Sequence, residues 1–270
     1  MVTTATSSHR PKFSGEDFYG GARITRSWPA AREGFPRYDG PVNDLEGAGY
    51  ALADLVLADH QCEHIARSLP AVAGGRGGVR NLITHPTVVR LLVHEALGRY
   101  LWSVIGRELV AVKATLFDKG AESNWRGQWH QDRAIAVRER MNIPGYGPWS
   151  MRSGSLHVEP PAEVLGQMLA VRIHLDLCGA ENGPLRVIPG THLLGKLTES
   201  HVSDLVAAHQ MVELYVPQGA IVLMRPLLIH SSSAARQAAH RRVLHVEFAP
   251  IESISPLQWQ TAVPLWRAAS

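Results

Sequence analysis

The chain has 270 residues, 45% of them hydrophobic and 19% charged, a balance that supports a buried core and excludes wholesale disorder. Its formal charge of +3 arises from 27 basic against 24 acidic residues with no block of like charge, so nucleic-acid binding finds no support. Cys62 and Cys178 are too few for a disulfide framework and lack a CxxC spacing, and no run of about 18 apolar residues marks a membrane span.

The opening MVTTATSSHRPKFSGEDFYGG lacks the apolar core of a signal peptide, which predicts a cytoplasmic protein without a membrane partner. Residues 1–44 are rich in Gly, Pro, Ser and Arg with weak periodicity and read as an extended arm, leaving 45–270 as a single domain. After a short apolar segment, GYALADLVL, a helix is expected from Asp59 to about Leu69. A second is expected from Pro86 to Ile105, where Val88, Leu91, Leu92, Leu97, Leu101 and Ile105 recur mostly at three- and four-residue steps. From Glu108 onward the texture changes to short runs rich in β-branched and apolar residues: Leu109–Phe117, Met168–Leu177, Leu185–Val187, Met211–Val216, Ala220–Met224 and Val243–Phe248. Asn182-Gly183 and Pro217-Gln218-Gly219 supply turn chemistry at the ends of such runs. Helices followed by many short strands indicate an α+β fold.

In Met168–Leu177 one parity carries Leu169, Val171, Ile173, Leu175 and Leu177, and the other Arg172, His174 and Asp176. A sheet with an apolar face against helices and a polar face lining a cavity satisfies this pattern. A double-stranded β-helix, the cupin-like jelly roll, is such a sheet, with the N-terminal helices packed on the outer face of its major sheet. Residues 133–167 hold four Pro, several Arg and Trp149 with little strand pattern, and a loop of that length is expected to act as a lid.

His130-Gln131-Asp132 places an imidazole and a carboxylate two residues apart, on one side of an extended backbone. His230, read as the end of the strand IVLMRPLLIH, offers a third ligand. Two His and one carboxylate on one face of Fe(II) leave open positions for a bidentate 2-oxoacid and dioxygen. By spacing alone, a surface Asp beside a partly buried His fits equally. Arg241 follows His230 by eleven residues and heads RRVLHVEF, where a guanidinium can clamp a carboxylate bidentately. Parity puts Arg241, Val243, His245 and Glu247 on one face, expected to line the cavity, and Arg242 on the other.

From about Lys113 to Pro250 the chain resembles the phytanoyl-CoA dioxygenase family of Fe(II)/2-oxoglutarate oxygenases. The matching pieces are LFDK at 116–119, His130-Gln131-Asp132, NGPLRVIPGTH at 182–192, VPQGA at 216–220, and His230 with Arg241. The resemblance implies Fe(II), 2-oxoglutarate and O2 as cofactors, a catalytic and metal triad of His130, Asp132 and His230, and Arg241 with Ser232 on the distal carboxylate of 2-oxoglutarate. Where family members often carry Trp, this chain has Arg172, a cation on the cavity wall. Carrier-dependent halogenases of this superfamily replace the carboxylate ligand with Gly or Ala, so Asp132 favours hydroxylation of a small molecule, with 2-oxoglutarate converted to succinate and CO2.

Lys113, at the parity of Thr115 and Phe117, is a further candidate for co-substrate binding. His174, Trp149 and His157 are candidates for substrate binding. Lys119 reads as a loop residue. Two other functions stay open: a zinc hydrolase using the same ligands, which leaves Arg241 unexplained, and a jelly-roll binding protein without turnover. The sequence leaves the substrate and the oligomeric state undefined.

Overall fold

The helices are built from stripes of apolar residues that need a sheet to cover. The computed structural model describes residues 43–72, 77–120, 123–236 and 240–266, so the arm expected over 1–44 lies almost wholly outside the described residues. Five α-helices occur among them: α1 (Asp59–Ser68), α2 (Pro86–Leu92), α3 (Glu95–Ile105), α4 (Ala162–Gly166) and α5 (Glu199–Ala208). None is long and apolar enough to cross a membrane. The single helix expected over 86–105 is two. His94 takes an extended backbone, and its Nδ1 accepts from the Ala96 N–H at 3.2 Å, so it caps α3 and stops the helix before it. Helix α5 was not foreseen; Thr198 caps it, accepting from the His201 N–H at 3.2 Å.

The first strands are β1 (Asn43–Asp44), β2 (Tyr50–Val56), β3 (Gly78–Val79), β4 (Val110–Lys119) and β5 (Gly127–His130). Then come β6 (Ile135–Val137), β7 (Trp149–Arg152), β8 (Ser155–Val158), β9 (Leu169–His174) and β10 (Leu185–Val187). The chain continues through β11 (Val212–Leu214), β12 (Ala220–Met224), β13 (His230–Ser232), β14 (Arg241–Ala249) and β15 (Val263–Pro264). They form three antiparallel sheets. The largest runs β1-β2-β12-β9-β14-β4-β15 with β3 also on β4, a second runs β11-β10-β13-β5, and a third runs β6-β8-β7.

Alternation fixes what the large sheet presents on each side. Val171 and Ile173 of β9 and Leu244, Val246 and Phe248 of β14 share one apolar cluster with Ile65 of α1, Leu91 of α2 and Leu101 of α3. Each such side chain contributes roughly 1.5–3 kcal/mol on burial. On the opposite parity, registers His245↔Arg172, His245↔Thr115, Glu247↔Lys113 and Arg241↔Lys119 gather polar groups on one face.

Two expectations are corrected here. The apolar strand ends at Met224, the chain turns through 225–229 with the Leu228 N–H donating to the Arg225 carbonyl at 3.0 Å, and His230 opens β13 in a different sheet. Pro226, which lacks a donor, marks that break. Residues 133–167 are ordered as β6, β7, β8 and α4. Their hairpin turns on Ser153 and Gly154 with φ of 50° and 79°, the two positive values of a type I′ turn, formed by Ser-Gly where Asn-Gly is the stronger signal.

Candidate active site

His130 and His230, a hundred residues apart in the chain, face each other across the β5–β13 ladder, their ring centroids 4.3 Å apart. Each ring is fixed the same way: Nδ1 of His130 meets the Gln128 carbonyl at 2.8 Å, and Nδ1 of His230 meets the Leu228 carbonyl at 2.9 Å. A neutral imidazole that donates from Nδ1 keeps Nε2 as a lone-pair donor, the state a metal ligand requires. Both Nε2 atoms lie 3.6 Å from an oxygen of Asp132. Burial lowers the His230 pKa to about 4, keeping that ring neutral. For His130 burial works in the same direction, but the hydrogen bond and charge of Asp132 raise it overall. Burial opposes ionisation of Asp132, yet the two imidazoles hold its carboxyl well below the usual range. Gln131 braces the triplet: its amide donates to the carbonyls of Gly195 (2.9 Å) and Leu227 (2.7 Å) and accepts from the Leu197 N–H (2.9 Å).

A pocket of about 810 Å³ opens over these three residues. One end is cationic: Arg172 and Arg241 line it, and Lys119 reaches it through Ser232 Oγ. Lys119, Arg172 and Arg241 are 0%, 5% and 1% exposed, and none has a carboxylate within salt-bridge distance among the described residues. The Lys119 ammonium donates to Ser232 Oγ at 3.0 Å and to the Ser233 carbonyl, and Arg241 Nε and Arg172 Nε have no hydrogen-bond acceptor among the described residues. Burial, then the charge of Arg241, lowers the Lys119 pKa to about 7; the same causes lower Arg172 to about 10. Uncompensated buried charge is costly, so this end is built for an anion. Gly183, at φ 69° in the Asn-Gly turn, lets the chain close over it: a Cβ there would meet the Ser233 carbonyl at 2.4 Å and Lys119 Cδ at 3.1 Å.

A directional network separates this end from the rest of the pocket. Arg172 always donates, so His245 Nδ1 accepts from it at 3.0 Å, leaving the His245 proton on Nε2, 3.5 Å from Glu247. Glu247 also takes the Lys113 ammonium at 2.6 Å.

Arg241, Ser232, Arg172, Lys113 and His157 all line the pocket. Two substrate candidates do not. Trp149 pairs with Val158 on β8 and packs into an apolar cluster, because alternation sends it away from the His157 side. His174 is 1% exposed and lies beyond Arg172 along β9, behind the pocket; burial and the charges of Arg172 and Arg241 keep it neutral. Lys119 was missed. Its signal was present: it continues the alternation of Lys113, Thr115 and Phe117 by one more step.

A phytanoyl-CoA dioxygenase (PhyH) family model matches residues 45–243. The sequence has no significant match among curated proteins. Among solved structures, the chain is similar to EctD from S. alaskensis in its apoform, at 15% identity and TM-score 0.60 over 91% of each chain. It is similar to AviO1 from Streptomyces viridochromogenes Tue57 at 21% identity and TM-score 0.54, over 77% of this chain and 93% of that one. A third is the epimerase SnoN in complex with Fe3+, alpha ketoglutarate and nogalamycin RO, at 16% identity and TM-score 0.58, over 78% of this chain and 82% of that one. At these identities the structures testify to the fold, whereas the family model spans most of the chain: it belongs to the phytanoyl-CoA dioxygenase family of iron- and 2-oxoglutarate-dependent oxygenases.

Proposed function

We propose that the protein is a non-haem Fe(II)/2-oxoglutarate-dependent dioxygenase that hydroxylates a small molecule, built on a double-stranded β-helix with the N-terminal helices on its outer face. The observation that carries this reading is one pocket holding both a His-Asp-His cluster and a buried cationic end without a counter-anion. His130 and His230 would hold the metal through Nε2 and Asp132 through its carboxylate. Iron bound there supplies dioxygen activation coupled to decarboxylation of 2-oxoglutarate to succinate and CO2.

The chain's own residues do the positioning. Arg241 and Ser232 take the distal carboxylate of the co-substrate, with Lys119 holding Ser232 Oγ from behind. Arg172, which lines the same pocket and pairs with His245 across the β9–β14 ladder, stands beside the oxoacid. Lys113 and Glu247 form the floor beyond it. The domain spans 45–270, with the β6–β8 sheet of the 133–167 segment as a wall over the pocket, and the reading places the enzyme in the cytoplasm.

Anaerobic addition of Fe(II) and then 2-oxoglutarate to metal-free protein tests this. A weak visible charge-transfer band is expected, lost in Asp132→Ala and requiring far more 2-oxoglutarate in Arg241→Met. A protein that binds zinc tightly and never gives the band is not this enzyme.

A further inference from the structure

We propose that the substrate is an anion: a small polar molecule whose carboxylate or phosphate is held between Arg80 and Arg152 at the pocket mouth. This rests on the oxygenase reading above and adds the substrate class to it.

The charge inventory leads there. Of the charged groups lining the pocket, Asp132 and Glu247 are the carboxylates among the described residues. Asp132 belongs to the metal cluster, and Glu247 is engaged by Lys113 at 2.6 Å. Arg133 is paired with Glu159 at 3.4 Å, while Arg172 and Arg241 serve the co-substrate end. Arg80 and Arg152 remain. Both line the pocket and both are exposed, so they stand at its opening, and neither has a carboxylate within salt-bridge distance among the described residues.

The backbone brings these two arginines together. Arg80 leads into Asn81, Arg152 leads into Ser153, and Asn81 Nδ2 donates to the Ser153 carbonyl at 3.5 Å, across the seam where the β7–β8 hairpin meets the β3 segment. Asn81 (φ 60°) and Ser153 (φ 50°) are the non-glycine residues with positive φ among the described residues. The hairpin turn accounts for Ser153, and Asn81, a residue type that adopts this conformation readily, opens the 3-10 turn at Leu82–Thr84. Arg80 and Arg152 each stand one residue before this contact, one on each of the two segments, and both line the pocket.

The chemistry below the seam agrees. Thr84, Ser155, His157, Gln260 and Thr261 also line the pocket and offer hydrogen bonds beside apolar wall from Ile83, Val112 and Phe117, which suits a small polar molecule with an apolar part. His157 Nδ1 is held by the Ser155 carbonyl at 3.0 Å, and burial lowers its pKa, so its Nε2 is an acceptor for a substrate hydroxyl. A pair of guanidinium forks is the natural receptor for an oxyanion.

The test uses the full chain loaded with Ni(II) and saturating 2-oxoglutarate, so that the cationic inner end is already filled. Inorganic phosphate is titrated by calorimetry, with acetate in a parallel arm. At least one of the two should bind the wild type, and the double variant R80Q/R152Q should bind it at least tenfold more weakly while its affinity for 2-oxoglutarate is unchanged. The tighter of the two anions names the group the substrate carries. Absence of binding by both anions, or equal binding by the double variant, overturns the proposal. The charge-transfer band of the Fe(II) form is recorded on the same preparation: if the band is present and the anion result negative, the substrate class alone fails, and if the band is absent the oxygenase reading fails first.

Discussion

Arg241 and Arg152 line the same pocket, yet one is 1% exposed at the start of β14 and the other stands in solvent at the end of β7. The difference is energetic. At the inner end Lys119, Arg172 and Arg241 sit together in a dry wall, so their charges repel one another and have lost their hydration, and burial pushes all three pKa values down. At the mouth the same residue type keeps its water and costs the fold almost nothing. One end is therefore a strained receptor that becomes comfortable only when an anion arrives, and the other is a steering surface that the fold tolerates with or without a ligand.

The comparison can be broken by substitution, and the largest effect lies between the two ends. Asp132→Ala should reduce succinate release to background while the far-ultraviolet circular dichroism of the protein stays as in wild type, because the carboxylate serves the metal cluster and not the core. Substantial turnover in that variant would detach the cluster from the chemistry. Next in size is Arg241→Met, which should act with opposite signs on binding and folding. Binding of 2-oxoglutarate should weaken by about 2–5 kcal/mol. The ligand-free protein should become more stable by about 1–4 kcal/mol in urea unfolding, since an apolar side chain of similar length removes an uncompensated buried charge. A loss of stability would mean that Arg241 has a partner that matters to the fold.

Lys119 gives a smaller and pH-dependent effect. Its pKa in the folded chain, about 7, lies below the ordinary lysine value, so between the two the unfolded chain holds a proton that the folded one does not. Stability of the ligand-free protein should therefore rise with pH from about 7 toward 10, by up to about 1.4 kcal/mol per pH unit. Lys119→Met should flatten that slope, and so should saturating 2-oxoglutarate in wild type, whose carboxylate holds the ammonium charged. An unchanged slope in Lys119→Met would assign it to other groups. Smallest of all, Arg152→Gln should move the unfolding free energy by no more than about 0.5 kcal/mol, as expected of an exposed charge whose one hydrogen bond is to Ser150 Oγ on the same strand.

Much of this architecture was legible in the chain. The alternation in β9 and β14 separated Val171, Ile173, Leu244 and Val246 from Arg172, His245 and Glu247, and the two parities do face an apolar layer and a pocket. His130-Gln131-Asp132, His230 and Arg241 stood out because ligand chemistry restricts residue type and spacing and their order matches a family pattern, and they line one pocket. What local pattern could not give was pairing. Trp149 and His157 looked equally suited to touch a substrate until the β7–β8 register put them on opposite faces. Lys119 looked like a loop residue until its register with Arg241 closed the cationic end. The helix over 86–105 was periodic enough to read as one, and the capping bond of His94 divided it.

The sequence by itself determined which residues are chemically able to serve, because periodicity, donor type and turn chemistry are local properties of the chain. The tertiary structure decided which of them meet. His130 and His230 come together through strand pairing across a hundred residues, and Asn81 meets Ser153, each next to a pocket-lining arginine, between two segments with no shared motif. The first contact is set by sheet register and the second by long-range packing, and no window of neighbouring residues contains that information.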